Sequence, residues 1–272
     1  MSDFIKKEAG GVPFYAPFSQ LDFCSAGITT REGGVSEGHF ASLNLGLRTG
    51  DDRENVMENL RRVCRAFGAE PEEAVATKQE HLATVRRVGK EDKGIGLTRP
   101  PFSEGVDGLI TDEPELPLLA FSADCVPILF CDPVTKAVGV AHSGWRGTVL
   151  KIAAEVVAAM EREFGTRPAD IRAAIGPHIG ACCFEVDFPV YEEFLRAFPE
   201  KDGFARPQGE KYYIDLSGAV EYTLRQRGVE HISDMHTCTV CRWETFFSHR
   251  KMGGKRGLFG AIIKRKSERR AI

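Results

Sequence analysis

The chain has 272 residues, and its 36 Lys and Arg against 39 Asp and Glu give a formal net charge of −3. Hydrophobic residues make up 42% and charged residues 28%, which is typical of a soluble globular protein and excludes a disordered chain or a disulfide-dense miniprotein. No apolar run reaches the roughly 18 residues of a membrane span. The N-terminal MSDFIKKEAGG lacks the apolar stretch of a signal peptide, so we expect a cytoplasmic protein without a membrane partner.

The spacing of apolar residues predicts four helices. Apolar side chains at i, i+4, i+7 and i+11 predict a helix over residues 53–67, with Asp52 as its N-cap. A second apolar stripe predicts a helix over residues 148–164. Shorter helices are predicted over residues 190–197 and 217–227.

The predicted strands, in chain order, cover residues 83–88, 118–121, 127–131, 137–141, 171–175, 212–215 and 258–263. The turn signal at residues 132–135 predicts that the third and fourth of these form a hairpin. Helices and strands interleave without strict alternation, which indicates an α+β (mixed α/β) fold with a mixed β-sheet and flanking helices. We expect a single layered domain over residues 1–272, with a core at about 20–265 and a basic tail at 264–272.

Positive charge is concentrated near the C-terminus, where residues 250–270 contain nine basic residues and one acidic residue. A basic segment can bind nucleic acid or contribute to an anion site, or it can be a solvated terminus. No aromatic residues interleave with a basic repeat, so we do not expect nucleic acid as a partner.

Eight cysteines lie at positions 24, 64, 125, 131, 182, 183, 238 and 241, and in a reducing compartment they are expected to be thiols. The pairs Cys182–Cys183 and Cys238-x-x-Cys241 allow two interpretations, a four-thiolate zinc site or structural thiols without a metal. We expect structural thiols, because contiguous cysteines should not direct two sulfurs at one tetrahedral ion.

The most informative residues are Cys125 and His142, which flank two apolar strand segments, and His81 farther upstream. Two imidazoles and one thiolate suit zinc, and three protein ligands leave a fourth position for water or substrate. Two alternatives remain from the residues alone. The side chains could be a core histidine and a buried thiol, or Cys125 and His142 could form a metal-free nucleophile and base.

The turn at Gly144-Trp145-Arg146-Gly147 leads from a predicted strand into a predicted helix. Unpaired N–H groups at such a helix start favour anions, and Arg146 could hold a phosphate through two parallel hydrogen bonds. The alternative is a tight turn with Arg146 in solvent.

The order of these motifs resembles the laccase-domain purine nucleoside phosphorylase family (YfiH-like), long labelled multicopper polyphenol oxidases. The matching blocks are Ser42-Leu43-Asn44-Leu45-Gly46-Leu47, Gly50-Asp51-Asp52, Lys78-Gln79-x-His81, Val106-Asp107-Gly108-Leu109, Ala123-Asp124-Cys125-x-Pro127, Ala141-His142-x-Gly144-Trp145-Arg146-Gly147, Ile175-Gly176-Pro177-x-Ile179, Cys183-x-Glu185-Val186, Cys238-Thr239-x-Cys241 and Phe247-Ser248-His249-Arg250. They span nearly the whole chain.

The resemblance implies a mixed α/β layered fold and one zinc ion per chain, held by His81, Cys125 and His142. It also implies phosphorolysis of adenosine, inosine and 5′-methylthioadenosine, together with deamination of adenosine. Some members of this family are described as editing peptidoglycan precursors, so a Cys–His hydrolase acting on such precursors is the alternative function.

Further roles are predicted for residues in the matching blocks. Arg146 and Arg48 are expected to hold phosphate, and Asp124 is expected to transfer a proton or to orient a metal ligand. Asn44 is expected to hold ribose or phosphate, or else to form a turn. Purine nucleosides and phosphate are the expected partners, and a monomer or weak homodimer is the expected assembly.

The sequence argues against a copper oxidase. A blue-copper centre takes two histidines, and the remaining five would have to supply a three-copper cluster. The chain has no His-x-His pair. We therefore expect neither copper nor laccase activity.

Overall fold

The computed structural model describes residues 4–199 and 203–267, so that residues 268–272 of the predicted basic tail lie outside it. In these ranges the α-helices are α1 (Arg53–Ala66), α2 (Trp145–Val149), α3 (Ile152–Phe164), α4 (Phe188–Ala197) and α5 (Leu216–Gln226). The strands are β1 (Ile5–Ala9), β2 (Val12–Ala16), β3 (Cys24–Thr29), β4 (Val75–Ala76), β5 (Val85–Arg87), β6 (Gly108–Thr111), β7 (Leu118–Ser122), β8 (Val126–Cys131), β9 (Val138–Ser143), β10 (Arg172–Ile175), β11 (Glu185–Val186), β12 (Ala205–Gln208), β13 (Lys211–Ile214), β14 (His231–Asp234) and β15 (Phe259–Arg265).

These strands form two six-stranded sheets and one small sheet. The first sheet has the order β1-β2-β3-β15-β7-β4, and the second has the order β14-β10-β8-β9-β6-β5. Each combines antiparallel pairs with parallel ones, since β4 runs parallel to β7, β10 to β14 and β5 to β6. The third sheet, β11-β13-β12, is antiparallel. The predicted α+β class with mixed sheets is confirmed.

The two large sheets pack face to face, and helices cover their outer faces. Along β15, Phe259, Ala261 and Ile263 face the core between the sheets, whereas Ile262 faces the cluster built around α1. The outer face of the second sheet packs against α3, α4 and α5. This arrangement gives four layers, with the site described below at one end of the sheets.

Burial on both faces explains the composition of the central strands. All six residues of β8 and all six of β9 are buried, because one face of each strand meets the first sheet and the other meets the helices. The sequences of strands that are covered on both faces are continuous apolar runs, without the alternation of polar and apolar residues seen in half-exposed strands. The predicted hairpin is confirmed, since β8 and β9 pair antiparallel from Val126 opposite Ser143 to Cys131 opposite Val138.

The first predicted helix is confirmed as α1, and the Asp52 carboxylate accepts N–H bonds from Glu54 and Asn55 as its N-cap. The helix predicted over residues 148–164 is wrong in its first turn. The chain forms two helices there, α2 and α3, which are separated at Lys151. No helix within the described residues has both the length and the apolar character needed to cross a bilayer.

The break at Lys151 stores backbone strain. Lys151 has φ 60° and ψ 41°, a left-handed conformation that costs an ordinary residue roughly 1–2 kcal/mol and glycine much less. Its ammonium group lies 5.6 Å from the centre of the Phe198 ring. Any substitution that shortens the side chain therefore also removes this contact.

We predict that Lys151→Gly is more stable than Lys151→Ala by about 1 kcal/mol, which corresponds to a melting temperature higher by roughly 2–4 °C. Both variants lose the contact with Phe198, so the difference between them isolates the strain. Thermal unfolding monitored by circular dichroism measures it. Equal melting temperatures would show that the left-handed conformation at this residue carries no cost.

Candidate metal centre and adjoining cavity

Three side chains from separate segments converge at one end of the second sheet. The donor atoms of His81, Cys125 and His142 all lie within 4.8 Å of one another. Cys125 Sγ is 3.9 Å from His81 Nε2, and the two imidazole rings meet edge to face with their centroids 5.0 Å apart. The structure therefore brings together the three predicted ligands, although 44 and 17 residues separate them along the chain.

Strand register explains why two of these residues are neighbours. Cys125 lies in the turn between β7 and β8, directly before β8 begins at Val126. In the β8–β9 hairpin, Pro127 is paired with His142. Cys125 consequently lies beside the end of β9, where the His142 ring is 3% exposed.

The third ligand is positioned by a buried carboxylate that sequence analysis missed. The carboxylate of Asp107 is fully buried and accepts backbone N–H bonds from Glu80, His81 and Leu82 at 2.9–3.1 Å. It also lies 2.9 Å from His142 Nδ1. One side chain thus fixes both the His81 loop and the His142 ring.

The hydrogen bond with Asp107 selects the tautomer of His142. A proton on Nδ1 donates to the carboxylate, which leaves Nε2 free to act as a ligand. His81 itself is in a left-handed conformation with φ 62°, held there by the backbone bonds to Asp107. The only sequence signal for Asp107 is its place in the Val106-Asp107-Gly108-Leu109 block.

Cys125 and His142 shift each other's pKa. Burial opposes ionisation of Cys125, but the His142 imidazole and hydrogen bonds from both histidines outweigh it and lower the pKa of the thiol to about 6. Burial likewise opposes protonation of His142, but Cys125 and Asp107 raise its pKa to about 9. Both shifts favour the charged form, a thiolate beside an imidazolium, in the protein without metal.

The donor set fits a tetrahedral metal ion. Zinc–nitrogen bonds of about 2.0–2.1 Å and zinc–sulfur bonds of about 2.3 Å place neighbouring ligand atoms about 3.6 Å apart. The separation between Cys125 Sγ and His81 Nε2 is 3.9 Å, so a small contraction suffices. This group could hold one metal ion with a coordination position open to its surroundings.

A cavity of about 700 Å³ opens beside the three ligands. Its apolar wall includes Phe121, Leu258, Pro100 and Pro101. No carboxylate of the described residues lines it. Its charged lining consists of Arg48, Arg53, Lys78, Arg99 and Arg256. The cavity is therefore suited to an anion with an apolar part.

Among the described residues, four of these five cations form no ion pair, and three of those four have no side-chain hydrogen-bond partner either. Lys78 pairs with Glu80 at 3.0 Å, and Arg99 donates to two backbone carbonyls. No ion pair among the described residues includes Arg48, Arg53 or Arg256. These three guanidinium groups are available to a ligand.

Arg256 is the most strongly constrained of the three. Its Nε is buried and has no hydrogen-bond partner among the described residues. Burial lowers the pKa of its guanidinium, although Asp124 and Cys125 partly offset that effect. A buried, unsatisfied donor on a cavity wall costs free energy that an anionic ligand would recover. Sequence analysis did not single out Arg256, because basic residues surround it.

The predicted proton-transfer residue, Asp124, is not part of the cavity lining. The Asp124 carboxylate accepts bonds from Thr239 Oγ1 and from the backbone N–H of Arg250, both at 2.6 Å. Asp124 has φ 89°, a strained conformation directly before Cys125. This arrangement favours the alternative that Asp124 orients a ligand, and its role in proton transfer stays a prediction.

The amide of Asn44 is fully used within its loop. Its Nδ2 donates to Thr49 Oγ1 and to the Asp51 carboxylate, each at 2.9 Å. Its Oδ1 accepts the backbone N–H groups of Gly46 and Leu258, also at 2.9 Å. Both donors and both acceptor positions are occupied, which matches the turn-forming alternative and leaves a substrate contact as an untested prediction.

The two arginines predicted to hold phosphate lie in different places. Arg48 lines the cavity. Arg146 is exposed, its guanidinium lies 4.3 Å from the centre of the Trp145 ring, and it is not part of the cavity wall. No contact in the structure therefore supports the predicted role of Arg146 in holding phosphate.

Comparison with known proteins identifies close relatives. A family model described as multi-copper polyphenol oxidoreductase laccase matches residues 25–266. The chain is 41% identical to the purine nucleoside phosphorylase YlmD of Geobacillus stearothermophilus over 251 residues, covering 89% of this chain and 90% of that protein. It is 35% identical to the purine nucleoside phosphorylase YfiH of Escherichia coli over 224 residues, covering 82% and 86%.

A solved structure has the same fold. The crystal structure of YlmD from Geobacillus stearothermophilus superposes with a TM-score of 0.90 at 39% identity. The match covers 98% of this chain and all of that one.

Close packing against the ligands restricts residue 144 to glycine. A Cβ on Gly144 would lie 2.5 Å from His81 Cδ2 and 3.2 Å from Cys125 Sγ. The backbone of Gly144 has φ −71° and ψ 175°, which any residue can adopt. An alanine here would therefore act only by displacing the ligands. The nearby Gly147 would place a Cβ 3.2 Å from the Leu82 carbonyl and near no ligand atom.

We predict that Gly144→Ala weakens zinc binding by roughly 10- to 100-fold, the range found when the groups that orient metal ligands are disturbed. Competition with a chromophoric chelator measures this affinity. Gly147→Ala is the matched control and should bind zinc like the parent protein. An unchanged affinity in Gly144→Ala would mean that the His81 ring is not a metal ligand.

Proposed function

Because the chain belongs to the multi-copper polyphenol oxidoreductase laccase family, and its relatives are named purine nucleoside phosphorylases, we propose that it is a zinc-dependent purine nucleoside phosphorylase. The observation that carries the proposal is a cavity that joins the His81–Cys125–His142 group to arginines without acidic partners. A phosphorolytic enzyme must hold a phosphate beside a nucleoside, and this cavity offers both kinds of surface.

Zinc fits this donor set better than copper does. The ligands would be His81, Cys125 and His142, and the bound ion would supply Lewis acidity at the cavity wall. Among the described residues, no further group that could hold a metal contains a histidine. A multicopper oxidase needs several more imidazoles for its oxygen-reducing cluster. We therefore propose that the family's laccase label does not describe the activity of this chain.

We propose that different walls of the cavity bind the phosphate and the purine. We propose that Arg256, with Arg48 and Arg53, binds inorganic phosphate through charge-assisted hydrogen bonds. The purine would pack against Phe121 and the neighbouring prolines, where its flat apolar surface leaves water. Held in this way, a phosphate oxygen attacks the anomeric carbon of the ribose as the bond to the purine nitrogen breaks.

We predict that the enzyme releases free base from adenosine, inosine and 5′-methylthioadenosine only when phosphate is present, with formation of the sugar 1-phosphate. Product chromatography with and without phosphate measures this dependence. Deamination would appear in the same chromatograms as inosine formed from adenosine without phosphate. Base release that does not depend on phosphate, or no release at all, would contradict the proposal.

Metal removal separates this function from the alternative of a Cys–His hydrolase. Protein stripped by a chelator should lose phosphorolysis and regain it with zinc. A metal-free hydrolase would instead remain active on a peptidoglycan precursor, and its Cys125 would be readily alkylated, because the same thiolate would be the nucleophile.

We predict that Arg256→Gln lowers kcat/KM for phosphate by roughly 30- to 150-fold, as expected for loss of about 2–3 kcal/mol in hydrogen bonds to a charged ligand. Deamination consumes water and should fall much less. Arg146→Gln is the matched control, and as an exposed substitution it should change phosphorolysis by no more than about twofold. Steady-state kinetics on both variants, with their zinc content measured, provide the comparison.

The opposite result for the two variants would support the sequence-based prediction that Arg146 holds phosphate. If Arg146→Gln reduces phosphorolysis selectively while Arg256→Gln does not, Arg146 is the phosphate ligand. If Arg256→Gln loses phosphorolysis and deamination to the same extent and keeps its zinc, Arg256 maintains the shape of the cavity and does not bind phosphate specifically.

A further inference from the structure

Four cysteines meet on two loops at the surface. Cys182 and Cys183 lie in the loop between β10 and β11, and Cys238 and Cys241 lie in the loop between β14 and β15. An isolated parallel bridge between His178 and Cys238 holds the two loops side by side. None of these four side chains takes part in the candidate metal centre described above.

The sulfur positions match a tetrahedral thiolate site. All four Sγ atoms lie within 4.8 Å of one another, and Cys241 Sγ is 3.8 Å from Cys182 Sγ and 3.6 Å from Cys183 Sγ. Zinc–sulfur bonds of about 2.3 Å place the sulfurs of a tetrahedral site about 3.8 Å apart. A disulfide would need about 2.05 Å, and all four cysteines are free thiols.

We propose that Cys182, Cys183, Cys238 and Cys241 bind a second zinc ion in a closed, four-thiolate structural site. Soft thiolate ligands in a tetrahedral arrangement select zinc over magnesium or calcium. Because all four positions come from the protein, this ion has no open position for substrate, unlike one at the His81–Cys125–His142 group.

This proposal reverses the expectation from the sequence that these four cysteines are structural thiols without a metal. That expectation rested on the idea that contiguous cysteines do not direct two sulfurs at one ion, which holds for a β-strand, where successive side chains point to opposite faces. Cys182 and Cys183 lie in a turn, where the backbone reverses direction. Two neighbouring side chains can then face the same point, as their distances to Cys241 show.

Hydrogen-bond donors and a positive charge next to the four cysteines offset the negative charge of the proposed site. Four thiolates and one Zn²⁺ leave an excess of negative charge, which hydrogen-bond donors and cations stabilise. The backbone N–H of Gly180 donates to Cys238 Sγ at 3.3 Å. The Arg250 guanidinium donates to the carbonyls of Cys183 and Glu185, which places a positive charge next to the cluster.

The site would hold a long irregular segment that borders the cavity. Residues 235–258 connect β14 to β15 without any strand of their own. The same segment provides Arg256 on the cavity wall and the Arg250 N–H bond to Asp124, next to Cys125. Long loops without secondary structure are costly to order, and a metal that links two of them restricts the unfolded chain.

The zinc content per chain tests the proposal. It is measured by mass spectrometry on protein purified without chelator. The double variant Cys182→Ser/Cys241→Ser should lose one zinc ion relative to the parent, whereas Cys64→Ala, which removes a thiol outside both groups, should lose none. His81→Ala should keep the zinc of the four-cysteine site, so this result does not depend on the proposed phosphorylase. Equal zinc content in the double variant and the parent overturns the proposal.

Cobalt provides a second measurement if the double variant fails to fold. His81→Ala loaded with Co²⁺ and desalted should retain one ion with the visible bands of tetrahedral cobalt and a strong sulfur-to-cobalt charge-transfer band. Mercurial titration of the thiols should release this ion. Absence of bound cobalt, or a disulfide between Cys241 and Cys182 or Cys183 in freshly purified protein, would overturn the proposal.

Discussion

The buried carboxylate of Asp107 is the interaction on which the candidate metal centre depends. An unpaired carboxylate in an apolar interior is very costly, so it must be met by donors. Here three successive backbone N–H groups and the His142 ring supply them. These contacts outweigh the effect of burial and lower the pKa of Asp107, so it stays ionised. The same charge that requires partners thus determines where two of the candidate metal ligands, His81 and His142, lie.

The sheets bring this carboxylate to the ligands. Asp107 directly precedes β6, which pairs with β9, and the backbone N–H of His142 donates to the Asp107 carbonyl at 2.8 Å. The β8–β9 hairpin then adds Cys125 from the other side. Central strands buried on both faces resist deformation, because interiors are close-packed. A site at the ends of these strands is therefore preorganised.

The sequence predicted features that depend on local spacing and missed those that depend on distant contacts. The amphipathic period and the Asp52 cap predicted α1, but the apolar stripe through residues 148–164 gave no sign of the left-handed break at Lys151. Residue chemistry suggested the three candidate metal ligands, the family resemblance strengthened that expectation, and the structure brings their donor atoms together. The part played by Asp107 could not be predicted, because its partners lie 25–35 residues away and include backbone groups.

Charge balance explains why, in the proposed phosphorylase, phosphate selectivity should come from the arginines. A zinc ion held by the Cys125 thiolate would form, together with the Asp107 carboxylate, a nearly neutral unit, since two positive charges would meet two negative ones. Such a unit polarises a ligand but provides little net attraction for a dianion. Arg48, Arg53, Arg99 and Arg256 form no ion pair in the described part of the chain, so they carry the net positive charge of the cavity. Screening by salt is weak for the partly buried Arg256, so its contribution should persist at physiological ionic strength.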